Sequence, residues 1–151
     1  VQILKFGASG FVYSVGLAPL MAAVALTALD IAEAEPQRVK RLQANSRLFL
    51  DLARKARLDT GSAEAFSVIP VMVGNSLVAG KLCERLFETG INVLPITFPA
   101  VPMQGARLRF FLTSEHTTEQ IEFAVTATAR ELDRLRSEEF AMHLPPEIYE
   151  I

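Results

Sequence analysis

Two arginines carry the clearest chemical signal in this sequence. Arg107 and Arg109 stand two apart in Arg107-Leu108-Arg109-Phe110-Phe111-Leu112-Thr113. Directly before them runs an uncharged stretch, Thr97 to Ala106, that contains Pro99, Pro102 and Gly105. A guanidinium is charged at any working pH, and its planar fork meets a carboxylate through two parallel hydrogen bonds. Two such groups on one strand face suit the grip of an organic acid. They equally suit ordinary surface ion pairs, worth about 0–1 kcal/mol each. Residue types alone leave both readings open. Other catalytic sets are missing. His116, His143 and Cys83 have no zinc-type spacing, so no metal site is expected. There is no nucleophile elbow, P-loop or dinucleotide fingerprint. The carboxylates are scattered over helix faces, where solvation is their expected role.

The elements that must position these arginines follow from periodicity. Residues 1–18 read as an extended or irregular lead-in punctuated by Gly7, Gly10 and Gly16. Pro19 suits a first helical turn, and a helix should run to about Ala34. Pro36 breaks it, and a second helix reaches about Arg57 with Val39, Leu42, Ser46, Phe49, Ala53 and Ala56 as its buried stripe. Its basic face, Arg38 to Lys55, reads as solvated. Phe66 to Val73 is a strand in which Pro70 marks an edge or a bulge. Gly74-Asn75-Ser76 caps a helix with Val78, Leu82 and Leu86 inward, flanked by Ala79, Cys83 and Phe87. Gly90 ends that helix in the left-handed conformation. Ile91 to Ile96 is a second strand, which makes a right-handed, parallel βαβ crossover. In the arginine strand Leu108, Phe110 and Leu112 share one face, and Arg107, Arg109, Phe111 and Thr113 the other. Thr117-x-x-Gln120 resembles a capping box before a helix with Ile121, Ala124, Val125, Thr128, Leu132 and Leu135 in register.

Composition bounds the class. The 151 residues are 50% hydrophobic and 21% charged with a net charge of -2, a globular composition with no electrostatic pull toward nucleic acid. One cysteine excludes an internal disulfide and fits a reducing, cytoplasmic setting. The chain starts at Val1 without a methionine, as a fragment or processed product does, and no secretory signal is apparent. Phe11 to Leu29 is 19 residues long and uncharged, but Gly16, Pro19 and the run of alanines favour a helix buried at an interface over a membrane span.

Several motifs in matching order resemble one family. They are Gly90-Ile91-Asn92-Val93-Leu94-Pro95-Ile96, Phe98-Pro99-Ala100-Val101-Pro102, Ala106-Arg107-Leu108-Arg109-Phe110 and Ser114-Glu115-His116-Thr117. Together they resemble the C-terminal signature of the pyridoxal-phosphate-dependent α-oxoamine synthases, and Phe11 to Pro19 looks like the segment after their lysine region. The resemblance covers the chain from its start to about Leu135. It implies the α/β (α+β) C-terminal domain of a fold-type I enzyme. Such a domain has a three-stranded or slightly larger sheet with a βαβ unit packed by helices, preceded by a long broken interdomain helix. The implied divisions are 1–58 for the lead-in and interface helices, 59–137 for the domain and 138–151 for a tail or linker.

The same resemblance implies a homodimer with its sites at the subunit interface. The parent enzyme would be an acyltransferase that uses pyridoxal 5'-phosphate to condense an amino acid with an acyl-CoA or acyl-carrier-protein thioester, giving an amino ketone. Arg109 matches the arginine that holds the amino-acid carboxylate, and Ser14 a hydroxyl that contacts the cofactor phosphate. Arg107 is expected to be structural, and His116 to cap a helix. The Ser-x-Ser-Lys motif is absent, so no catalytic residue is expected within the chain and the fragment alone should be inactive. Thr97 stands where some serine palmitoyltransferases carry an extra arginine. Two other readings remain at this point: a fold-type I aminotransferase fragment, and a non-enzymatic, ferredoxin-like binding or dimerisation module.

Overall fold

The computed structural model describes residues 2–7 and 17–138. The chain divides into two compact units, Val1–Pro36 and Gln37–Ile151. The division falls earlier than the boundary at 58/59 expected from the sequence. The reason is that the helix following Pro36 gives Phe49, Leu50 and Ala53 to the core of the second unit.

In the first unit, α1 (Gln2–Gly7) is helical where an irregular lead-in was expected. Glycine here ends a helical turn and does not prevent one. The second helix, α2 (Pro19–Ala34), has Pro19 in its first turn and lacks a side-chain cap. It stops at Glu35 (φ -121°, ψ 59°), because the ring of Pro36 denies the preceding residue the α conformation. No residue of α2 is buried, and Leu20, Met21, Val24, Leu26 and Leu29 are all exposed.

The second unit contains α3 (Pro36–Lys55), β1 (Val68–Gly74), α4 (Ser76–Glu88), β2 (Leu94–Ile96), β3 (Ala106–Phe111) and α5 (Thr118–Ser137). The three strands form one sheet in the order β1-β3-β2, with both pairings antiparallel. Thus β1 and β2 run in the same direction, as a crossover requires, but they do not touch. The expected βαβ unit is split, with β3 inserted between its strands. Proline explains the order. β1 carries Pro70 and β2 carries Pro95, whereas β3 has none and can pair on both sides. Leu112 N–H donates to Ser67 C=O, and from there the antiparallel alternation leaves Pro70 and Pro95 at positions that owe β3 no donor.

One face of the sheet is the core. Ile69, Val71 and Leu108 are fully buried, Phe110 and Leu112 nearly so, and the rings of Phe49 and Phe110 meet at 4.9 Å. Both α4 and α5 close this face, burying Ala79, Leu82 and Leu86 from the first and Ile121, Val125, Leu132 and Leu135 from the second. Three faces differ from expectation: Leu50, Ala127 and Glu131 are buried, while Val39, Ala56 and Phe87 are exposed.

The helix ends obey local rules. Asn75 Oδ1 accepts from Leu77 and Val78 N–H (2.8 and 3.2 Å). Thr117 and Gln120 make the reciprocal capping box. Gly90 (φ 89°) closes α4 through Gly90 N–H to Phe87 C=O and Ile91 N–H to Leu86 C=O. The same pair of bonds ends α3, where Arg57 takes the left-handed position at φ 58°. No described helix is long and apolar enough to cross a membrane.

Candidate functional site

The central strand presents its two arginines on the outer face, as the alternation predicted, and uses them differently. Arg107 is half-buried and turns back, donating from Nε to Gly105 C=O at 2.9 Å. The loop it holds is tight: Gly105 N–H donates to Pro102 C=O at 2.7 Å. A Cβ at Gly105 would lie 3.1 Å from that oxygen and 3.3 Å from Arg107 Nη2. Arg107 is therefore a loop clasp, which agrees with its expected structural role.

Arg109 is exposed and sits between Pro70 of β1 and Leu94 of β2, neither of which offers a charge or side-chain acceptor. Its guanidinium carbon lies 5.5 Å from the centroid of the Phe111 ring. Among the described residues Arg109 makes no ion pair and no side-chain hydrogen bond. Arg41, Arg47 and Arg57 likewise make no side-chain bond among the described residues, whereas Arg85, Arg130 and Arg134 are paired. Arg85 grips Glu138 with two bonds of 3.2 and 2.6 Å. Arg130 and Arg134 both donate to Glu131 (2.9 and 3.1 Å). These bonds, Arg130's first, hold the Glu131 carboxyl below the usual carboxylate range. Glu138 is lowered likewise by the bond from Arg85. The Arg85–Glu138 pair ties α4 to the end of α5, the Glu131 cluster lies within α5, and both are away from the arginine site.

A cavity of about 450 Å³ opens beside Arg109, walled by Leu94, Phe111, Phe123, His116 and Gln120. It exists because β2 begins only at Leu94, opposite Arg109, while β3 continues to Phe111. The expected strand from Ile91 is three residues too long for this reason. His116 Nδ1 accepts from Thr113 N–H at 3.0 Å, which leaves the proton of a neutral ring on Nε2. The cap of α5 is Thr117, so His116 folds the preceding turn and does not itself cap. That turn is tied to α3 by Asn45, whose Nδ2 donates to Thr113 C=O and His116 C=O, both at 2.9 Å. Nothing in the sequence signalled Asn45, which lies 68 and 71 residues from its partners.

The other expected residue, Ser14, lies outside the described residues, as do His143 and the tail beyond Glu138. Among the described residues no three potential metal ligands gather. What the site can do chemically is hold an anion: the Arg109 guanidinium has no ion pair among the described residues and lines a cavity.

The three-stranded antiparallel sheet with its helices matches solved fold-type I enzyme structures as a fragment. The family described as aminotransferase class I and II matches residues 1–127, and the chain belongs to it. Members of that family depend on pyridoxal phosphate. The chain is 36% identical over 130 residues to 8-amino-7-oxononanoate synthase of Symbiobacterium thermophilum, covering 86% of this chain and 33% of that protein. It is 35% identical, again over 130 residues, to 2-amino-3-ketobutyrate coenzyme A ligase of Escherichia coli K12, covering 86% and 32%. Among solved structures, 8-amino-7-oxononanoate synthase from Francisella tularensis matches with a TM-score of 0.74 and 28% identity, over 88% of this chain and 38% of that one. Serine palmitoyltransferase from S. paucimobilis shares the fold, with a TM-score of 0.79 at 19% identity over 90% and 34%. The chain spans about a third of the length of the curated relatives it matches.

Proposed function

We propose that the chain is the C-terminal part of a pyridoxal-phosphate-dependent acyltransferase that condenses an amino acid with an acyl thioester, and that Arg109 grips the amino acid's carboxylate. The observation that carries this is the guanidinium of Arg109, which has no ion pair among the described residues and lines a cavity. A bidentate carboxylate there fixes the substrate at one end and so sets the direction of its Cα bonds. Leu94, Pro70 and Phe111 flank Arg109 with apolar groups that offer no competing acceptor. When bound, the cofactor supplies an electron sink for the carbanion at Cα. The described residues fit the substrate's acid group and not the cofactor, so no step is assigned to them beyond binding and orientation.

The Schiff-base lysine belongs upstream in this reading. Lys40 and Lys55 are exposed on α3 and Lys81 pairs with Glu84 at 2.7 Å, all away from the cavity lining. Ser14 would contact the cofactor phosphate across a homodimer interface, and the exposed apolar length of α2 supports burial against another part of the assembly. The fragment alone is then inactive. The cell compartment that goes with this reading is the cytoplasm.

The test is an absorbance titration of the full-length parent, loaded with pyridoxal phosphate, against glycine, L-alanine and L-serine, beside Arg109→Ala. The expected result is a saturable change in wild type and an affinity about ten- to a hundredfold weaker in the variant, the size of a charged hydrogen-bonded contact. An unchanged affinity moves the clamp elsewhere. Product amine without thioester consumption makes the parent an aminotransferase, and no spectral response leaves a binding module.

A further inference from the structure

We propose that Phe111 is a positioning residue that holds the Arg109 guanidinium ready for the substrate's carboxylate, so that replacing its ring weakens amino-acid binding without touching the fold. The inference rests on the carboxylate-clamp reading of Arg109 and asks what keeps that clamp in place.

An arginine side chain has four rotatable bonds, and a ligand that must freeze them binds more weakly. Most clamps are fixed by a carboxylate or carbonyl behind the guanidinium. Arg109 has neither among the described residues: its cross-strand neighbours are Pro70 and Leu94, and no side-chain hydrogen bond reaches it. The one contact that locates its charged end is the Phe111 ring, 5.5 Å from the guanidinium carbon. Residues two apart on a strand share a face, so the stack is built into β3 itself. Both side chains line the same cavity. An aromatic face attracts the cation while consuming none of its donors, which leaves the whole fork for a carboxylate. An acid at position 111 would do the reverse by occupying the fork and cancelling its charge.

Packing within the unit does not account for Phe111. It is 59% exposed, while Phe110 and Leu112 on either side are 7% exposed and belong to the core. The charged group that this exposed ring touches is Arg109.

The experiment uses full-length holoenzyme and equilibrium absorbance titrations with glycine and L-alanine, with ethylamine as a probe that lacks the carboxylate. Phe111→Ala and Phe111→Leu are expected to bind the two amino acids roughly three- to tenfold more weakly, the range of an exposed to partly dry cation–π contact. Phe111→Tyr, which keeps the ring, is expected to stay within about twofold of wild type on the same scale. Ethylamine affinity is expected to be unchanged in all three. Equal weakening for ethylamine and the amino acids overturns the proposal, because it signals general damage. An unchanged amino-acid affinity in Phe111→Ala, with Arg109→Ala still weakened, overturns it and leaves the clamp standing. No effect from Arg109→Ala overturns the clamp reading, and the role of Phe111 with it.

Discussion

The two faces of the sheet are built from the same strands but treat charge in opposite ways. On the inner side Ile69, Val71 and Leu108 are sealed beneath helices, and the buried carboxylate of Glu131 on α5 is held by two arginines. On the outer side Leu94, Phe111 and Phe66 stay exposed, and Arg109 stands among apolar neighbours without a counter-ion. The inner charge of Glu131 is neutralised by the chain itself. A charge left open next to a cavity is available for a ligand. The contrast separates a face sealed by the fold from the one on which the proposed carboxylate clamp stands, although both faces are largely apolar.

Core truncation tests that separation most severely. Leu108→Ala removes a fully buried side chain from the centre of the sheet and is expected to cost about 2–5 kcal/mol, read by chemical denaturation. Arg109→Ala, one residue on, is expected to change stability by less than about 0.5 kcal/mol while weakening the amino acid. Comparable losses from both would erase the distinction between the faces.

Acid tests the inner charge. The folded carboxyl of Glu131 is held below its ordinary value of 4.5 by Arg130 and then Arg134, so it favours the folded state above that pH. This contribution disappears as pH falls through the folded value, because the unfolded carboxyl protonates first. Melting temperature plotted against pH should therefore drop below about 4.5 in wild type, and more shallowly in Glu131→Gln. Parallel curves would mean that the arginines contribute nothing through this residue.

Two smaller changes sharpen the picture. Arg57 adopts a left-handed backbone at the end of α3, the position that Gly90 fills after α4. Arg57→Gly removes the Cβ conflict and is expected to stabilise by about 0.5–1 kcal/mol, visible as a higher melting temperature. Ser46 Oγ is buried without a partner, so Ser46→Ala should be neutral or slightly stabilising, within about 0.5 kcal/mol. A clear loss there would reveal a partner for that hydroxyl.

Most of what local chemistry dictates could be read from the residues. Pro19 and Pro36 bounded α2, Asn75 and Thr117 capped their helices, Gly90 ended α4, and the alternation of β3 set Arg107 and Arg109 on the outer face. The misses share a cause, which is dependence on distant neighbours. Arg57 imitates glycine at a cap, and the burial of Leu50 and Ala127 depends on which face meets the sheet. The anchoring by Asn45 needs α3 and the turn before α5 to meet. Even so, one long-range feature had a local signature that went unused: two strands with prolines and one without already imply which strand lies in the middle. The different fates of the two arginines had no such signature. Arg107 is claimed by a carbonyl two residues back, and only the closed loop reveals it.

The positions of those prolines have a consequence for how the sheet survives before it is covered. In β1 the backbone groups that face away from β3 include those of Pro70, and in β2 the single residue that faces outward is Pro95. Each margin of the sheet is thereby short of a donor where a foreign strand would dock, and on β1 the outward Met72 N–H is already taken by Asp59 C=O. An unprotected three-stranded sheet invites edge-to-edge pairing with other chains. Here the imino acids that leave the internal ladder intact also blunt both margins, a safeguard against aggregation written into the strands themselves.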